Sequence, residues 1–157
     1  MLRGGAPVED VGAFIDASRG ENEYRGIELG YRHGDSPVIC HEDAPEPVWT
    51  PHAYTPTTWP GGRPPSVLLD GGRSIYDRFA ASFTLVDFAG DGRATPLLEA
   101  AAAQGVPLRH TVVADARARR VWERDLVLLR PDHHVAWRAN TAPPDPAAVV
   151  RRVRGAA

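Results

Sequence analysis

An α/β fold, with a mixed central sheet and helices on both faces, is what this sequence predicts, and three observations carry the prediction. From about residue 67 onward, apolar runs of strand length alternate with amphipathic stretches of helix length, which implies parallel crossovers. Two late runs, residues 126–129 and 135–138, are joined by Pro131-Asp132-His133-His134, so the sheet closes with an antiparallel hairpin. Apolar residues make up 43% of the 157 residues, enough for one core of ordinary size, and no apolar run approaches the roughly 20 residues that cross a bilayer.

Taken in order, the chain divides into three stretches. In residues 1–40, Val8, Val11, Phe14 and Ile15 recur at helical spacing and predict a short helix over 8–17. Ile27, Leu29 and Tyr31 alternate with Glu28, Gly30 and Arg32 as a strand would, and residues 36–40 are its expected partner across the turn residues Gly34-Asp35. This helix-and-hairpin segment is too small and too polar to form a core alone. Residues 41–66 carry seven prolines (45, 47, 51, 56, 60, 64 and 65), which exclude a helix interior or a central strand and predict an extended arm. The arm also carries Trp49, Tyr54 and Trp59, large rings expected to be buried against a surface.

Residues 67–157 hold the regular pattern. Val67 to Asp70 is a short strand, and Ser74-Ile75-Tyr76-Asp77 has the S-x-x-D form of a helix start. Residues 83–88 form a strand; Thr95-Pro96 caps a helix that runs to Gln104 and stops at Gly105. Residues 108–113 are a third strand, Asp115 caps a helix through Trp122, the hairpin follows, and Asp145-Pro146 starts a last helix through Val153. The order β-α-β-α-β-α-β-β-α is that of a thioredoxin-like fold.

That fold raises the question of redox chemistry, and the residues answer against it. The junction where thioredoxins hold their CxxC is here Ala89-Gly90-Asp91-Gly92-Arg93-Ala94-Thr95, without a cysteine. Arg124-Asp125 stands where a cis-proline would precede the hairpin. Cys40 is the only cysteine, so no intrachain disulfide or resolving pair exists. All 18 basic residues are arginine, which excludes Schiff-base lysine chemistry and a P-loop lysine. A net charge of −2 gives no footprint for nucleic acid. His133 and His134 are adjacent and point opposite ways on a strand, so a solvated hairpin tip is expected, not a metal site. Cys40-His41-Glu42 are consecutive and make a poor chelate. Arg117, Arg119, Arg120 and Arg124 interleave with Asp115, Glu123 and Asp125, as on a solvated helix face. No catalytic, cofactor-binding or metal-ligating residue is expected in this chain. Residues 1–5 lack the apolar stretch of a signal peptide, and a soluble cytoplasmic protein is the expectation.

Several segments are familiar together. Gly26 to Arg32 followed by Ser36-Pro37, the connector Tyr54-Thr55-Pro56 through Trp59-Pro60-Gly61-Gly62-Arg63-Pro64-Pro65, the stretch Leu69 to Asp77, residues 83–86, and the closing pair Asp125 to Asp132 and His134 to Arg138 occur in one order and spacing. This arrangement resembles the C-terminal region of FAD-dependent aromatic hydroxylases, the flavoprotein monooxygenases of phenol catabolism and aromatic polyketide tailoring. The resemblance implies a thioredoxin-like domain without CxxC, structural or involved in oligomer contacts. Those enzymes bind FAD through an N-terminal GxGxxG motif, which this chain lacks; Gly90-Asp91-Gly92 has neither the third glycine nor the downstream acid.

The resulting expectation is a non-catalytic structural or dimerisation module, with no cofactor of its own and FAD implied only for the full-length family. Residues 1–40 are then the remnant of a larger catalytic part. Trp49, Tyr54 and Trp59 are the expected docking residues. The expected partner is a second copy, as a homodimer, or a flavin-binding domain upstream or on a separate chain; neither nucleic acid nor a membrane is expected. The alternative is a stand-alone, redox-inactive thioredoxin-like protein that binds a small molecule or a protein partner.

Overall fold

The computed structural model describes residues 8–17 and 24–156. Two compact units are present, Met1–Gly30 with Trp49–Thr55, and Tyr31–Val48 with Pro56–Ala157. The proline-rich arm is therefore shared between them.

The first unit holds helix α1 (Val8–Ala17) and helix α2 (Arg25–Gly30). Helix α1 has the predicted bounds. Helix α2 replaces the predicted strand at 27–31, and the hairpin does not form. Alternation over so few residues does not separate strand from helix, and the partner it needed is committed elsewhere. Residues 33–39 turn on themselves, with Ser36 N–H donating to the His33 carbonyl at 3.1 Å, and Cys40 N–H donates to Ala136 at 2.8 Å. Gly26 explains why the segment coils here. Its N–H donates to the Pro51 carbonyl at 3.0 Å, and a Cβ on it would fall 1.8 Å from the Thr50 carbonyl oxygen, a contact only glycine permits.

The second unit is built on a four-stranded sheet of β1 (Phe83–Asp87), β2 (Leu108–Val112), β3 (Leu126–Leu129) and β4 (Val135–Ala139), in the order β2-β1-β3-β4. β1 and β2 are parallel, with Leu85 opposite His110, while β1–β3 and β3–β4 are antiparallel. Helix α3 (Thr95–Ala103) makes the crossover from β1 to β2, α4 (Ala116–Trp122) leads from β2 to β3, and α5 (Pro146–Val153) closes the chain. The mixed α/β architecture and the hairpin are as predicted.

The strand expected at 67–70 is corrected. It pairs with its own continuation and not with the sheet: Leu69 N–H donates to Arg73 at 2.8 Å and Ile75 N–H to Val67 at 2.9 Å, around a turn made by Gly71 and Gly72 at φ 87° and 76°. Alternation still holds there, with Val67 and Leu69 buried and Leu68 exposed. The helix expected at 74 is a single 3-10 turn, Ile75–Arg78, capped by Ser74. Thr95 is the first residue of α3 and not its cap, since Ala94 precedes it without a side-chain bond. Asp115 and Asp145 do cap, each accepting an N–H three residues on, at 2.8 Å.

Because both faces of the sheet are covered, β3 is buried at all four positions. Val127 and Leu129 face one cluster with Val86, Ile75 and the fully buried Trp122 of α4. Leu126 and Leu128 face the other, with Leu85, Leu97 of α3, and Val150 and Val153 of α5. The edge strand β4 is shielded by the chain N-terminal to the sheet, since Gly61 and Gly62 exchange two bonds with Val135 at 2.8 and 2.9 Å. An unpaired edge invites intermolecular pairing, and this contact closes it.

Candidate functional site

The loop after β1 leads into the first turn of α3, where an α/β domain commonly holds an anion or a reactive group. Here Asp87 governs it. Asp87 ends an apolar strand and is fully buried. Its Oδ1 accepts the N–H groups of Ala89 and Gly90, both at 2.9 Å, and its Oδ2 lies 3.0 Å from His110 Nε2 on β2. Further amides are committed as well. Arg93 N–H donates to Asp91 Oδ1 at 3.3 Å, Thr95 N–H to Gly92 at 3.0 Å and Leu97 N–H to Ala94 at 3.1 Å. Pro96 has no N–H to offer. Two carboxylates, holding the amides of Ala89, Gly90 and Arg93, make this loop a poor cradle for phosphate.

A second constellation anchors the arm. Arg138 on β4 is 6% exposed. Its Nε donates to Glu42 at 2.7 Å, its Nη1 donates to Thr58 Oγ1 at 3.1 Å and to Glu123 Oε2, and its guanidinium carbon sits 5.1 Å from the centroid of the Trp59 ring. Glu123 reaches this point because it ends α4 in the left-handed region, at φ 67°, which turns its side chain back toward the arm. There it also accepts Thr57 Oγ1 at 2.8 Å and Thr58 N–H at 3.2 Å. Burial pushes the Glu123 carboxyl up, but the Thr57 and Arg138 contacts outweigh it and hold the group below the usual glutamate range. Arg124 joins through Glu42, at 2.8 Å from Nε. Trp122 adds a further tie, its indole N–H donating to the Pro65 carbonyl at 3.1 Å.

The third group lies at the hairpin tip, and it overturns the expectation of solvated histidines. His133 adopts φ 67° and packs edge-on against Tyr76 and Phe79, at ring separations of 5.8 and 5.2 Å. His134 faces the other way and is 7% exposed. Its Nε2 is 3.1 Å from the Tyr31 hydroxyl, its ring is 4.9 Å from that of His33, and its Nδ1 is 3.3 Å from Asp132 without hydrogen-bond alignment. Burial holds the His134 imidazole below its ordinary range, against the pull of Asp132. Among the described residues no group of three or more His, Cys, Asp or Glu side chains converges on a metal-sized space.

Cys40 is half-buried, and burial pushes its thiol up despite the nearby Arg152. A thiol so placed is mostly protonated at neutral pH and a weak nucleophile. An open crevice of about 300 Å³ lies at the end of β2, lined by Leu69, Asp70, Arg78 and residues 112–115; of its polar groups, Asp115 is already used to cap α4.

The three aromatic docking candidates are divided between the two units. Trp59 is 4% exposed and covered by Arg138 in the sheet unit. Trp49 and Tyr54 lie in the other unit, beside Gly30, where an added Cβ would be 3.5 Å from the Tyr54 ring and 3.8 Å from the Trp49 indole. Trp49 is 46% exposed, with its N–H donating to the Gly26 carbonyl at 3.0 Å. Sequence reasoning missed Asp87 and Arg138. The available signal was a charged residue inside an apolar run, Phe83-Thr84-Leu85-Val86-Asp87-Phe88 and Val135-Ala136-Trp137-Arg138, since such residues are buried only when paired.

Comparison with known proteins adds a family to this geometry. Residues 57–157 match the family described as aromatic-ring hydroxylase, C-terminal. An FAD-dependent monooxygenase of Penicillium oxalicum, opdD, is 34% identical over 145 residues, covering 88% of this chain and 27% of that protein. The tetracenomycin B2 monooxygenase-dioxygenase of Streptomyces olivaceus is 39% identical over 140 residues, covering 79% of this chain and 25% of that protein. The structure of the rebeccamycin biosynthetic enzyme RebC with reduced flavin superimposes with a TM-score of 0.77 at 32% identity, covering 88% of this chain and 25% of that one. The chain thus spans about a quarter of the length of the relatives it matches.

Proposed function

Because the chain belongs to the family of aromatic-ring hydroxylase C-terminal domains, we propose that it is the non-catalytic structural module of an FAD-dependent aromatic-ring monooxygenase. The observation that carries this reading is the loop after β1. It holds Asp87 and its bonded amides at the place where a thioredoxin-like domain would carry its reactive cysteines. We read the domain as thioredoxin-like, supported by helices on both faces of a mixed sheet that ends in an antiparallel hairpin. With Cys40 half-buried, its thiol raised and no second cysteine, disulfide exchange has only a weak nucleophile and no resolving partner.

The residues present do not fit FAD. The flavin's pyrophosphate needs free N–H groups and positive potential, and the loop leading into α3 instead places the Asp87 and Asp91 carboxylates there, with the amides of Ala89, Gly90 and Arg93 bonded to them. No step of aromatic hydroxylation is assigned to these residues. Their contribution is mechanical. Arg138, Glu42, Glu123 and Trp59 fasten the arm to the sheet, and the rigid domain then packs against the part of the enzyme that carries the flavin. In this reading Trp49 and Tyr54 belong to the docking side and Trp59 to the internal anchor. Residues 1–40 are a piece of the catalytic part, 41–66 the arm and 67–157 the module. A cytoplasmic location belongs to the same reading, supported by a lone unpaired cysteine. Without the flavin-carrying part, the chain is expected to associate with itself as a homodimer.

The test is direct. The purified chain, incubated with excess FAD and desalted, retains no visible flavin absorbance. Stoichiometric yellow protein would sink the reading.

A further inference from the structure

Resting on the reading of a non-catalytic module and going beyond it, we propose that the open edge of the sheet, strand β2, is where a second copy of this chain binds, the two β2 strands pairing antiparallel about a two-fold axis at His110. Every residue in the argument lies in the second unit. Strand β2 ends the order β2-β1-β3-β4, so only one of its sides has a neighbouring strand. The opposite edge is closed by Gly61 and Gly62, and residues 67–70 pair with their own continuation, adding no strand beside β2. The outward backbone groups can be named. Val113 N–H donates to the Asp87 carbonyl at 2.9 Å. Direction alternates along a strand, so residues 109 and 111 also face β1, and Leu108, His110 and Val112 turn their N–H and C=O groups away from it. Among the described residues nothing bonds those outward groups. Natural edges carry prolines, bulges or several charges against such pairing, whereas β2 keeps an unbroken register with β1 and holds one permanent charge, Arg109.

The occupant follows because this edge is complementary to itself. With the axis at His110, Leu108 meets the partner's Val112 and each outward group meets an outward group, giving about six N–H···O bonds in all. Sliding the partner by one residue would set outward groups against ones that face β1, and sliding it by two toward the N-terminus would set Arg109 against its own copy. The side chains pair as well. Val112 is 53% exposed, and the partner's Leu108 would cover it. The partner's Arg109 would stand opposite Thr111, with Val113 on the diagonal about 7–8 Å away. Val113 belongs to the wall of the crevice at the end of β2, where Asp70 and Asp115 outnumber the single cation, Arg78. Arg109 and Asp70 are both exposed, and neither has an ion-pair partner among the described residues. Pairing about the two-fold axis brings each the opposite charge it lacks, twice over.

The experiment follows the full chain by sedimentation equilibrium across a hundredfold concentration range. A monomer–dimer equilibrium is expected, in the micromolar range that suits a small interface. Arg109→Glu or Asp70→Arg alone should weaken the dimer by at least about tenfold, and the two together should restore it to within about threefold. Val112→Pro removes an outward N–H on which β1 does not depend, and should weaken the dimer by at least about tenfold with an unchanged circular dichroism spectrum. Amide exchange gives a reading without any substitution: the N–H groups of Leu108, His110 and Val112 should exchange more slowly as concentration rises, while those of Arg109 and Thr111 should not change. The same comparison stands in for Val112→Pro if that variant loses its native spectrum. A chain that stays monomeric overturns the proposal. So does a dimer that these substitutions leave intact, which places self-association elsewhere, such as on the arm. A charge-swapped double variant as weak as the single ones, or exchange at residues 108, 110 and 112 that ignores concentration, overturns it too. Flavin retained by the chain would instead defeat the reading of a non-catalytic module without touching these outcomes, so the two failures are distinguishable.

Discussion

Replacing Arg138 by methionine tests the anchor between arm and sheet. Methionine keeps an unbranched stem against Trp59 but removes the charge that holds Glu42 and Glu123. The Arg138 side chain is 4% exposed, against 18% for Glu42 and 36% for Glu123. Removing one partner of a buried ion pair costs about 3–5 kcal/mol, because the other charge stays behind unpaired. Here Glu42 retains Arg124, and Glu123 retains Thr57 and some water. The lower end of the range, about 3 kcal/mol, is therefore expected. For a chain of 157 residues, with roughly 2–4 °C per kcal/mol, that is a fall in unfolding temperature of about 6–12 °C. Circular dichroism melts would measure it. The triple variant Arg138→Met, Glu42→Gln, Glu123→Gln should recover part of the loss, since the stranded charges are then gone. The reasoning has a pH signature too. Glu123 is held below its ordinary value in the folded state, so the unfolded chain binds the extra proton first. Its contribution is present above the unfolded glutamate value of about 4.3 and is lost as pH falls through the lower folded one. Arg138→Met should flatten that acid limb. A fall of less than 2 °C, or a triple variant no more stable than the single one, would refute the idea of a buried, charge-paired anchor.

Three further outcomes are expected. Asp87→Ala leaves the N–H groups of Ala89 and Gly90 without their acceptor and should cost about 2–4 kcal/mol in urea unfolding, whereas Asp87→Asn, which keeps one carbonyl oxygen, should cost less; equal losses would count against the proposed bonding. His134 is held neutral by burial, so stability should be complete above the ordinary imidazole value of about 6.5 and decline as pH falls toward the lower folded value. Urea midpoints at several pH values should show that slope, and His134→Gln should flatten it. Cys40 should react with a thiol reagent at least about tenfold more slowly in the folded chain than in urea, and equal rates would mean an accessible, activated thiol.

Particular residues show how far the sequence was legible. Helix α1, the helices after Asp115 and Asp145, and the β3–β4 hairpin were readable because each is specified locally, by apolar spacing, an aspartate cap or a turn. Residues 27–31 were misread because five residues of alternation fit either period. The deciding contact, Gly26 against Thr50 and Pro51, comes from more than 20 residues away. Residues 67–70 alternate correctly, but alternation does not say which chain a strand will pair with. Two glycines in the left-handed region turned this one back on itself. The buried pairs were the least visible. Arg138 meets Glu42 and Glu123 across 96 and 15 residues, and Asp87 meets His110 across 23.

By itself, then, the sequence determined composition and local order: an α/β chain without lysine, with one cysteine, no reactive pair at the loop after β1, and the segments that mark it as an aromatic hydroxylase C-terminal region. Such features follow from which atoms are present and from interactions within a few residues. Tertiary structure alone decided that the arm is divided between two units, that Trp59 lies beneath a buried arginine while Trp49 stays at the surface, and that His134 is enclosed. Those outcomes depend on which distant charges and rings can be desolvated together, and burial of that kind is a property of the folded whole.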